Sequence, residues 1–302
     1  MKKNILISSL IFLFASCSYN SFKVFTHNEP NGFTNYYLFE RSENNVLNED
    51  LIIYLDGASF HSTLGIKGSI LPWKSFSLAY KLQKELPNKF DLLVPDKMNI
   101  NTGEEFSEDS IKLSYTTLQY RVNSAVSSID QFLESHKYKN IYLIGFSEGG
   151  MILPKVYNDL NNKASILKLV NLSGGGYSYY TLIKNYYKVR NLDTLKVDSV
   201  YSDILKNPQS LSKFYMGHPY KQWTDFMKYE PSIEYKNIDI PILILQGSID
   251  ENLPVASSLY LNNYLNDLGK KNVTYLELEN MDHSYSDDFE SVITIISNWL
   301  NK

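Results

Sequence analysis

Residues 141 to 151, which read I-Y-L-I-G-F-S-E-G-G-M, restrict the fold of this chain more than any other stretch. Apolar and aromatic residues lead into a serine that stands between glycines, and residues 151 to 160 can continue as a helix. The pattern G-x-S-x-G, formed by Gly145, Ser147 and Gly149, is typical of a sharp strand-to-helix turn whose close backbone approach needs neighbours without side chains. Such a turn lifts the serine oxygen out of the sheet, so Ser147 is a candidate nucleophile.

The local context makes this interpretation stronger than the pattern alone. By composition, a chain of this length shows a G-x-S-x-G match by accident about a tenth of the time. A strand before the serine and a helix after it are the setting that the turn requires. Pro154 lies inside the predicted helix and removes one backbone donor, which predicts a bend without a break.

Strand and helix patterns alternate along most of the chain. Apolar and β-branched runs predict strands at residues 22–25, 35–39, 50–55, 90–94, 141–146, 166–172, 240–245 and 273–278. The first two flank a turn cluster and predict a hairpin. Apolar residues at helical spacing predict helices at residues 74–86, 118–132, 151–160, 254–268 and 289–300. This order predicts one large α/β domain, with a mostly parallel sheet covered by helices on both faces.

Residues 177 to 236 interrupt the alternation. They hold ten of the 24 tyrosines in about a fifth of the chain, together with Trp223. We interpret this segment as an inserted helical cap. The alternative is a tyrosine-rich surface without a special role, because aromatic faces often serve packing.

The first 16 residues have the anatomy of a secretory signal. Lys2 and Lys3 precede an apolar run over residues 5–15 that is too short for a membrane span, which needs about 20 residues. Residues 14 to 17, F-A-S-C, resemble a bacterial lipobox, with Phe14 in place of the usual leucine. The resemblance implies cleavage after residue 16 and a lipid on Cys17. Plain secretion is the alternative.

The mature chain would then span residues 17 to 302 and reside in the cell envelope, held on a membrane by its lipid. Ser18, by analogy with such lipoproteins, permits sorting to the outer membrane. The net charge of −4 and the lack of a basic cluster make nucleic acid an unexpected partner. Since Cys17 is the only cysteine, no intramolecular disulfide can form.

Three chemically suggestive side chains each follow a separate predicted strand. They are Ser147, Asp250 and His283, in the chain order nucleophile, acid, histidine. In parallel sheets the chemistry lies beyond the carboxyl ends of the strands, so these side chains are expected to meet. A serine hydroxyl needs a neighbour that takes its proton, a task that suits neutral histidine near pH 7. The acid would fix the histidine tautomer and stabilise the imidazolium.

The segments G-F-S-E-G, Q-G-S-I-D-E-N-L-P and M-D-H-S-Y, in this order, resemble those of α/β-hydrolases. The resemblance covers residue 50 to the C-terminus, apart from the cap. It implies that the backbone amides of Glu148 and Ala58 form an oxyanion hole. Many relatives have His-Gly where this chain has Asp56-Gly57, and we expect the Asp56 carboxylate to be held by backbone donors.

Each assignment has a competitor. Asp250 could instead cap the helix that starts at residue 254, with Glu251 or Asp282 as the acid. His283 could be an ordinary surface histidine, although it is the one histidine that follows the last predicted strand. His61 and His218 could line a pocket, but a structural role is the favoured interpretation.

Taken together, these features predict a membrane-anchored serine hydrolase that cleaves an ester, thioester or peptide bond in a small molecule or peptide through an acyl-enzyme. No metal or cofactor is expected, because His, Asp and Glu are not clustered at ligand spacing and no phosphate-binding glycine loop occurs. The alternatives are a binding lipoprotein that keeps the fold without the activity, and an acyltransferase.

Overall fold

The computed structural model describes residues 22–41, 48–59, 61–64, 78–103 and 113–302. The predicted signal sequence, Cys17 and the first four residues of the helix expected at 74–86 lie outside these ranges. No helix among the described residues combines the length and apolar character needed to cross a membrane.

Strands alternate with helices along the chain, as predicted. The strands are β1 (Lys23–Glu29), β2 (Gly32–Phe39), β3 (Asp50–Leu55), β4 (Phe90–Pro95), β5 (Asn140–Phe146), β6 (Ile166–Leu172), β7 (Phe214–Tyr215), β8 (His218–Pro219), β9 (Ile242–Gly247) and β10 (Val273–Leu278). Eight of them form one sheet in the order β1-β2-β4-β3-β5-β6-β9-β10. The first two strands form the predicted antiparallel hairpin, β2 also pairs antiparallel with β4, and the remaining neighbours are parallel.

Helices cover both faces of this sheet. They are α1 (Leu78–Glu85), α2 (Leu118–Ser135), α3 (Glu148–Asp159), α4 (Tyr179–Val189), α5 (Leu195–Lys206), α6 (Tyr220–Phe226), α7 (Pro231–Tyr235), α8 (Val255–Asp267) and α9 (Phe289–Leu300), with a 3₁₀ turn at Lys163–Ser165. Along β3, Leu51 and Ile53 belong to the apolar cluster that also holds residues of α2, α3 and α8, whereas Ile52 and Tyr54 belong to the cluster that holds residues of α1 and α9. Successive side chains of a strand point to opposite faces, so a strand covered on both sides is apolar throughout.

Helix α3 passes Pro154 without a break, as predicted. A proline cannot donate to the carbonyl four residues earlier, which belongs to Gly150. That carbonyl instead accepts a hydrogen bond from Asn171 Nδ2 at 3.4 Å, at the end of the neighbouring strand β6. The sheet therefore supplies the donor that the helix lacks.

The segment between β6 and β9 contains helices α4 to α7 and, in addition, the two-stranded ribbon β7–β8, which the sequence patterns did not predict. The ribbon turns at Met216 and Gly217, both at positive φ (47° and 80°). Trp223 Nε1 donates to the carbonyl of Tyr215 at 2.7 Å and holds the ribbon against α6. A tertiary contact thus stabilises strands of only two residues.

Candidate active site

The turn between β5 and α3 holds Ser147 in an unusual backbone conformation. Its φ is 54° and its ψ is −119°, which non-glycine residues rarely adopt and which surrounding structure must enforce. The close packing around it explains the glycines: a Cβ on Gly145 would lie 2.4 Å from the carbonyl oxygen of Gly149, and a Cβ on Gly149 would lie 2.1 Å from that of Leu55. The amide of Ser147 donates to the carbonyl of Leu172 at 2.9 Å.

The three side chains singled out in the sequence lie in one hydrogen-bonded chain. Ser147 Oγ lies 2.9 Å from His283 Nε2, and His283 Nδ1 lies 2.7 Å from Asp250 Oδ2. An ionised carboxylate only accepts, so the histidine proton belongs on Nδ1, and Nε2 is left to accept from the serine hydroxyl. The arrangement is a relay from a hydroxyl to a buried carboxylate.

Asp250 is fixed from several sides. Its Oδ1 accepts the amides of Asn252 (2.9 Å) and Leu253 (2.8 Å), and its Oδ2 accepts Gln246 Nε2 at 2.9 Å in addition to the histidine. The carboxylate therefore shapes its own loop and does not cap α8, whose N-cap residue is Pro254.

The alternative acids have other positions. Asp282 accepts the amides of Ser284 and Ser286 within its own turn, and Glu251 is exposed. The histidine contact belongs to Asp250.

The loops that carry His283 and Asp250 are joined to each other. The amide of Asn280 donates to Ser248 Oγ at 2.8 Å, and the amide of Ile249 donates to the carbonyl of Met281 at 3.1 Å. Below them, the buried hydroxyl of Tyr285 donates to the carbonyl of Leu245 at 2.9 Å. These contacts fix the positions of Asp250 and His283 relative to each other at the ends of the adjacent strands β9 and β10.

The turn after β3 lies against the nucleophile. A Cβ on Gly57 would lie 3.2 Å from the Cβ of Ser147, and Ala58 lines the same cavity as Ser147. Glu148 is the first residue of α3, and the first amides of a helix have no partner within the helix. Both predicted oxyanion residues thus flank Ser147.

The expectation that backbone donors hold Asp56 is wrong. Its carboxylate accepts Tyr54 Oη at 2.9 Å and Ser59 Oγ at 3.5 Å, and it forms a buried ion pair with Lys97 Nζ at 3.5 Å. Burial lowers the pKa of the Lys97 ammonium, and the negative charge of Asp56 opposes that effect. Lys97 reaches Asp56 because it follows β4, the strand next to β3.

A second buried ion pair lies beside the first. Arg121 Nε donates to Glu148 Oε1 at 2.8 Å, and Arg121 Nη2 donates to the carbonyl of Asp56 at 3.0 Å. Only about 10% of the Arg121 side chain and 4% of the Glu148 side chain are exposed. One guanidinium therefore joins the turn between β5 and α3, which we call the elbow, to the turn after β3.

Comparison with known proteins identifies the fold of this chain but no closer relationship. No family model matches the sequence. No curated protein matches it either. Similar solved structures include the Pyrococcus horikoshii acylaminoacyl peptidase (15% identity, TM-score 0.62), the Pyrococcus furiosus esterase Pf2001 (14%, 0.59) and Est1E of Butyrivibrio proteoclasticus with ferulic acid bound (16%, 0.63). This chain has the α/β-hydrolase fold.

The overlap differs between these structures. Alignment with the peptidase covers 93% of this chain but 41% of the peptidase, so the chain spans about two fifths of that protein's length. Alignment with the esterase covers 93% of this chain and 90% of that one, and alignment with Est1E covers 91% and 97%.

In this α/β-hydrolase fold, the segment between β6 and β9 lies over the relay and bounds a cavity of about 1330 Å³. The residues of this segment that line it are mostly apolar or aromatic: Tyr177, Tyr179, Leu182, Ile183, Tyr186, Val189, Met216 and Trp223. Ser147, Asp250 and His283 line the same cavity. The relay therefore opens onto a space large enough for a drug-sized ligand.

His61 and His218, the two other histidines that the sequence suggested as pocket residues, both line this cavity. His218 Nδ1 lies 3.1 Å from Gln222 Oε1, its ring packs edge-on against Trp223 at 5.4 Å, and burial lowers its pKa. His61 Nδ1 lies 2.9 Å from the carbonyl of Ser62. Neither ring takes part in the hydrogen-bonded chain from Ser147 to Asp250.

Lys97 and Arg121 are the site residues that sequence reasoning missed. Their partners lie 41 and 27 positions away in the chain, so no local spacing signals either pair. Among the described residues, no group of three or more His, Cys, Asp or Glu could hold a metal ion.

Proposed function

We propose that this chain is a serine hydrolase that cleaves an ester, thioester or peptide bond through an acyl-enzyme. The observation that carries the proposal is the relay itself, with 2.9 Å from Ser147 Oγ to His283 Nε2 and 2.7 Å from His283 Nδ1 to Asp250 Oδ2. A nucleophile bonded to a base that a third group orients is the signature of covalent catalysis.

In the first half of the proposed reaction, Ser147 Oγ attacks the carbonyl carbon of the substrate while its proton passes to His283 Nε2. The carboxylate of Asp250 stabilises the imidazolium that forms. His283 then gives the proton to the departing alcohol, thiol or amine. The acyl group remains as an ester on Ser147.

In the second half, water replaces the leaving group. His283 takes a proton from the water, the hydroxide oxygen attacks the acyl carbon, and the proton returns to Ser147 Oγ as the carboxylic acid departs. In both halves the amides of Glu148 and Ala58 would donate to the oxyanion. Every step uses groups of the chain, so the mechanism needs no metal or cofactor.

The cavity supports a substrate with an apolar or aromatic part. Its cap wall offers aromatic rings and aliphatic side chains, which favour such groups over strongly polar ones. The similar structures include proteins named as a peptidase and as an esterase, in keeping with an acyl bond as the target.

A fluorophosphonate probe, which reacts with activated serines, tests the proposal directly. We expect one adduct by intact mass on the wild-type chain, none on Ser147→Ala, and an unchanged adduct on the control Ser284→Ala, which alters the exposed neighbour of the histidine. Turnover of p-nitrophenyl esters or aminoacyl amides should fall by several orders of magnitude in Ser147→Ala. Labelling or turnover that survives this substitution, with contaminating enzyme excluded, would refute the proposal.

The same experiment separates the alternatives. A chain that is folded but not labelled would be a binding protein. A labelled chain that forms product only when an acceptor other than water is supplied would be an acyltransferase.

We also propose that residues 1–16 are removed, that Cys17 carries a lipid such as palmitate, and that the mature chain, with its cap at 177–236, is held in the cell envelope, on the outer membrane. The support comes from the sequence: Lys2 and Lys3 before the apolar run at residues 5–15, the pattern F-A-S-C, and Ser18. Metabolic labelling with an alkyne fatty acid should mark the wild-type chain and leave Cys17→Ala unmarked. Equal labelling of both would contradict the anchor.

A further inference from the structure

Exposed apolar side chains are concentrated in two stretches of the cap, and both stretches contribute residues to the cavity wall. We define the cap rim as residues 186–196 and 214–217. Six of the 15 large apolar side chains exposed among the described residues lie in it: Tyr186, Val189, Leu192, Leu195, Phe214 and Met216. Val189 and Leu195, at 78% and 70%, have the highest exposures of that set. A globular surface of this kind commonly marks an interaction site.

The backbone keeps these side chains outside the core. Helix α4 ends at Val189, and the chain reverses through Asn191 at a φ of 54°, with the Leu192 amide bonded to the carbonyl of Tyr187 at 2.8 Å. Tyr186 and Val189 of α4 line the same cavity as Met216, so the ribbon turn and the end of α4 border one space. Both parts of the rim therefore border the same cavity.

The rim is also basic, although the chain is acidic overall. Residues 186–196 contain Lys188, Arg190 and Lys196 against the single acid Asp193, whereas the whole chain carries a net charge of −4. The guanidinium of Arg190 lies over the ring of Tyr186, at 3.8 Å from its centroid.

Neighbouring cap lysines differ from these rim cations. Lys184 pairs with Asp198 at 2.9 Å, and Lys213 pairs with Asp203 at 3.0 Å. Those charges are balanced locally, so the excess positive charge belongs to the rim.

Exposed aliphatic and aromatic side chains interleaved with Lys and Arg are the chemistry of an interfacial element, whose apolar groups enter the headgroup region while its cations meet anionic lipids. We propose that the cap rim binds the surface of an anionic lipid bilayer. A second copy of the chain fits less well, because a two-fold interface through the rim would bring two surfaces of net positive charge together.

Binding in this way would set the mouth of the cavity against the lipid surface. Tyr186, Lys188, Val189, Arg190 and Met216 belong both to the rim and to the cavity wall. The interaction goes beyond the proposed hydrolysis, since it requires neither Ser147 nor the lipid on Cys17, and it can be measured without turnover.

The single cysteine makes a site-specific test simple. Replacing Cys17 with Ala gives a parent chain without cysteine or attached lipid. Into this parent we introduce Val189→Cys or Leu195→Cys as rim positions and Leu268→Cys as the control. Leu268 is also exposed, at 52%, but lies at the end of α8. Each is labelled with an environment-sensitive nitrobenzoxadiazole dye and mixed with vesicles of phosphatidylcholine and phosphatidylglycerol (3:1). The rim labels should shift to the blue and brighten, and the label at 268 should not.

A second measurement tests the charge. In vesicle titrations followed by the dye at position 195, Lys188→Gln combined with Arg190→Gln should weaken the partition onto the mixed vesicles about 30-fold, because each cation near an anionic surface contributes a factor of about five. The folded state of each variant is checked by circular dichroism, and Ser147→Ala should bind like the parent chain.

If the dyes at residues 189 and 195 neither shift to the blue nor brighten with vesicles, the proposal is overturned, even if the chain binds vesicles through its N-terminal segment. Equal partition onto pure phosphatidylcholine would overturn the anionic requirement. Concentration-dependent dimers that Val189→Ser and Leu195→Ser abolish, without dye response to vesicles, would assign the rim to a second copy instead.

Discussion

Substituting Arg121 with Met tests how far the buried ion pair organises the candidate active site. The substitution keeps a long side chain but removes the charge, the contact with Glu148 Oε1 at 2.8 Å and the contact with the Asp56 carbonyl at 3.0 Å. The Glu148 carboxylate would then stay buried next to Ser147 without its cation.

The expected loss of stability follows from this burial. Removing one partner of a buried ion pair costs about 3–5 kcal/mol, because the remaining charge stays desolvated. Arg121→Met/Glu148→Gln removes both charges, so it should regain at least about 2 kcal/mol of that loss. Lys155→Met, which breaks the surface pair with Asp159 at 3.1 Å, should cost less than about 1 kcal/mol.

Urea unfolding at pH 7 measures these free energies, and ester hydrolysis under conditions where each variant is folded measures the catalytic effect. The guanidinium ties the elbow to the turn that carries Ala58, so we expect Arg121→Met to lower kcat about 100-fold, the size of a lost oxyanion donor, with little change in KM. Arg121→Lys should restore part of kcat. A free energy of unfolding within about 1 kcal/mol of wild type, together with an unchanged kcat, would refute this reasoning.

Three further outcomes are expected. Asp250→Asn should lower turnover about 10³- to 10⁴-fold by disturbing the histidine tautomer, whereas Glu251→Gln should stay within a few-fold; equal losses in esterase assays would contradict the assignment. Gly149→Ala should lower stability by at least about 1–3 kcal/mol in urea unfolding, because its Cβ would lie 2.1 Å from the carbonyl oxygen of Leu55; an unchanged midpoint would contradict the packing. Burial lowers the pKa of His218, so the unfolded chain binds more protons than the folded chain, and the free energy of unfolding should fall as the pH drops below about 6.5. His218→Gln should make the free energy of unfolding depend less on pH between 7.5 and 5. A pH dependence as steep as that of wild type would exclude His218 as its source.

Helices and strands whose sequence signal lies within the element itself were predicted well. The strands at residues 50–55, 166–172 and 273–278 and the helix at residues 289–300 have the expected bounds, because continuous apolar runs and helical spacing are properties of the segment alone. The positions of Ser147, Asp250 and His283 after three strands followed from the same alternation.

Features set by distant contacts were not predictable in this way. The ribbon β7–β8 depends on Trp223, and two-residue strands have no pattern of their own. The partner of Asp56 comes from the end of an adjacent strand, so Lys97 could be identified only after strand order was known. Arg121 gave no signal because it belongs to an amphipathic helix whose periodicity reports packing.

The two ends of the cap segment lie close together. The amide of Ser232 donates to the carbonyl of Gly176 at 3.4 Å, and the Gly176 amide donates to the carbonyl of Ser257 at 3.1 Å. A loop whose ends already meet can be shortened or exchanged at small entropic cost. The segment is thus a replaceable module: chimaeras that graft another protein's insertion between Gly176 and Ser232 would change which molecules the cavity admits, while the sheet and the hydrogen bonds from Ser147 to Asp250 stay in place.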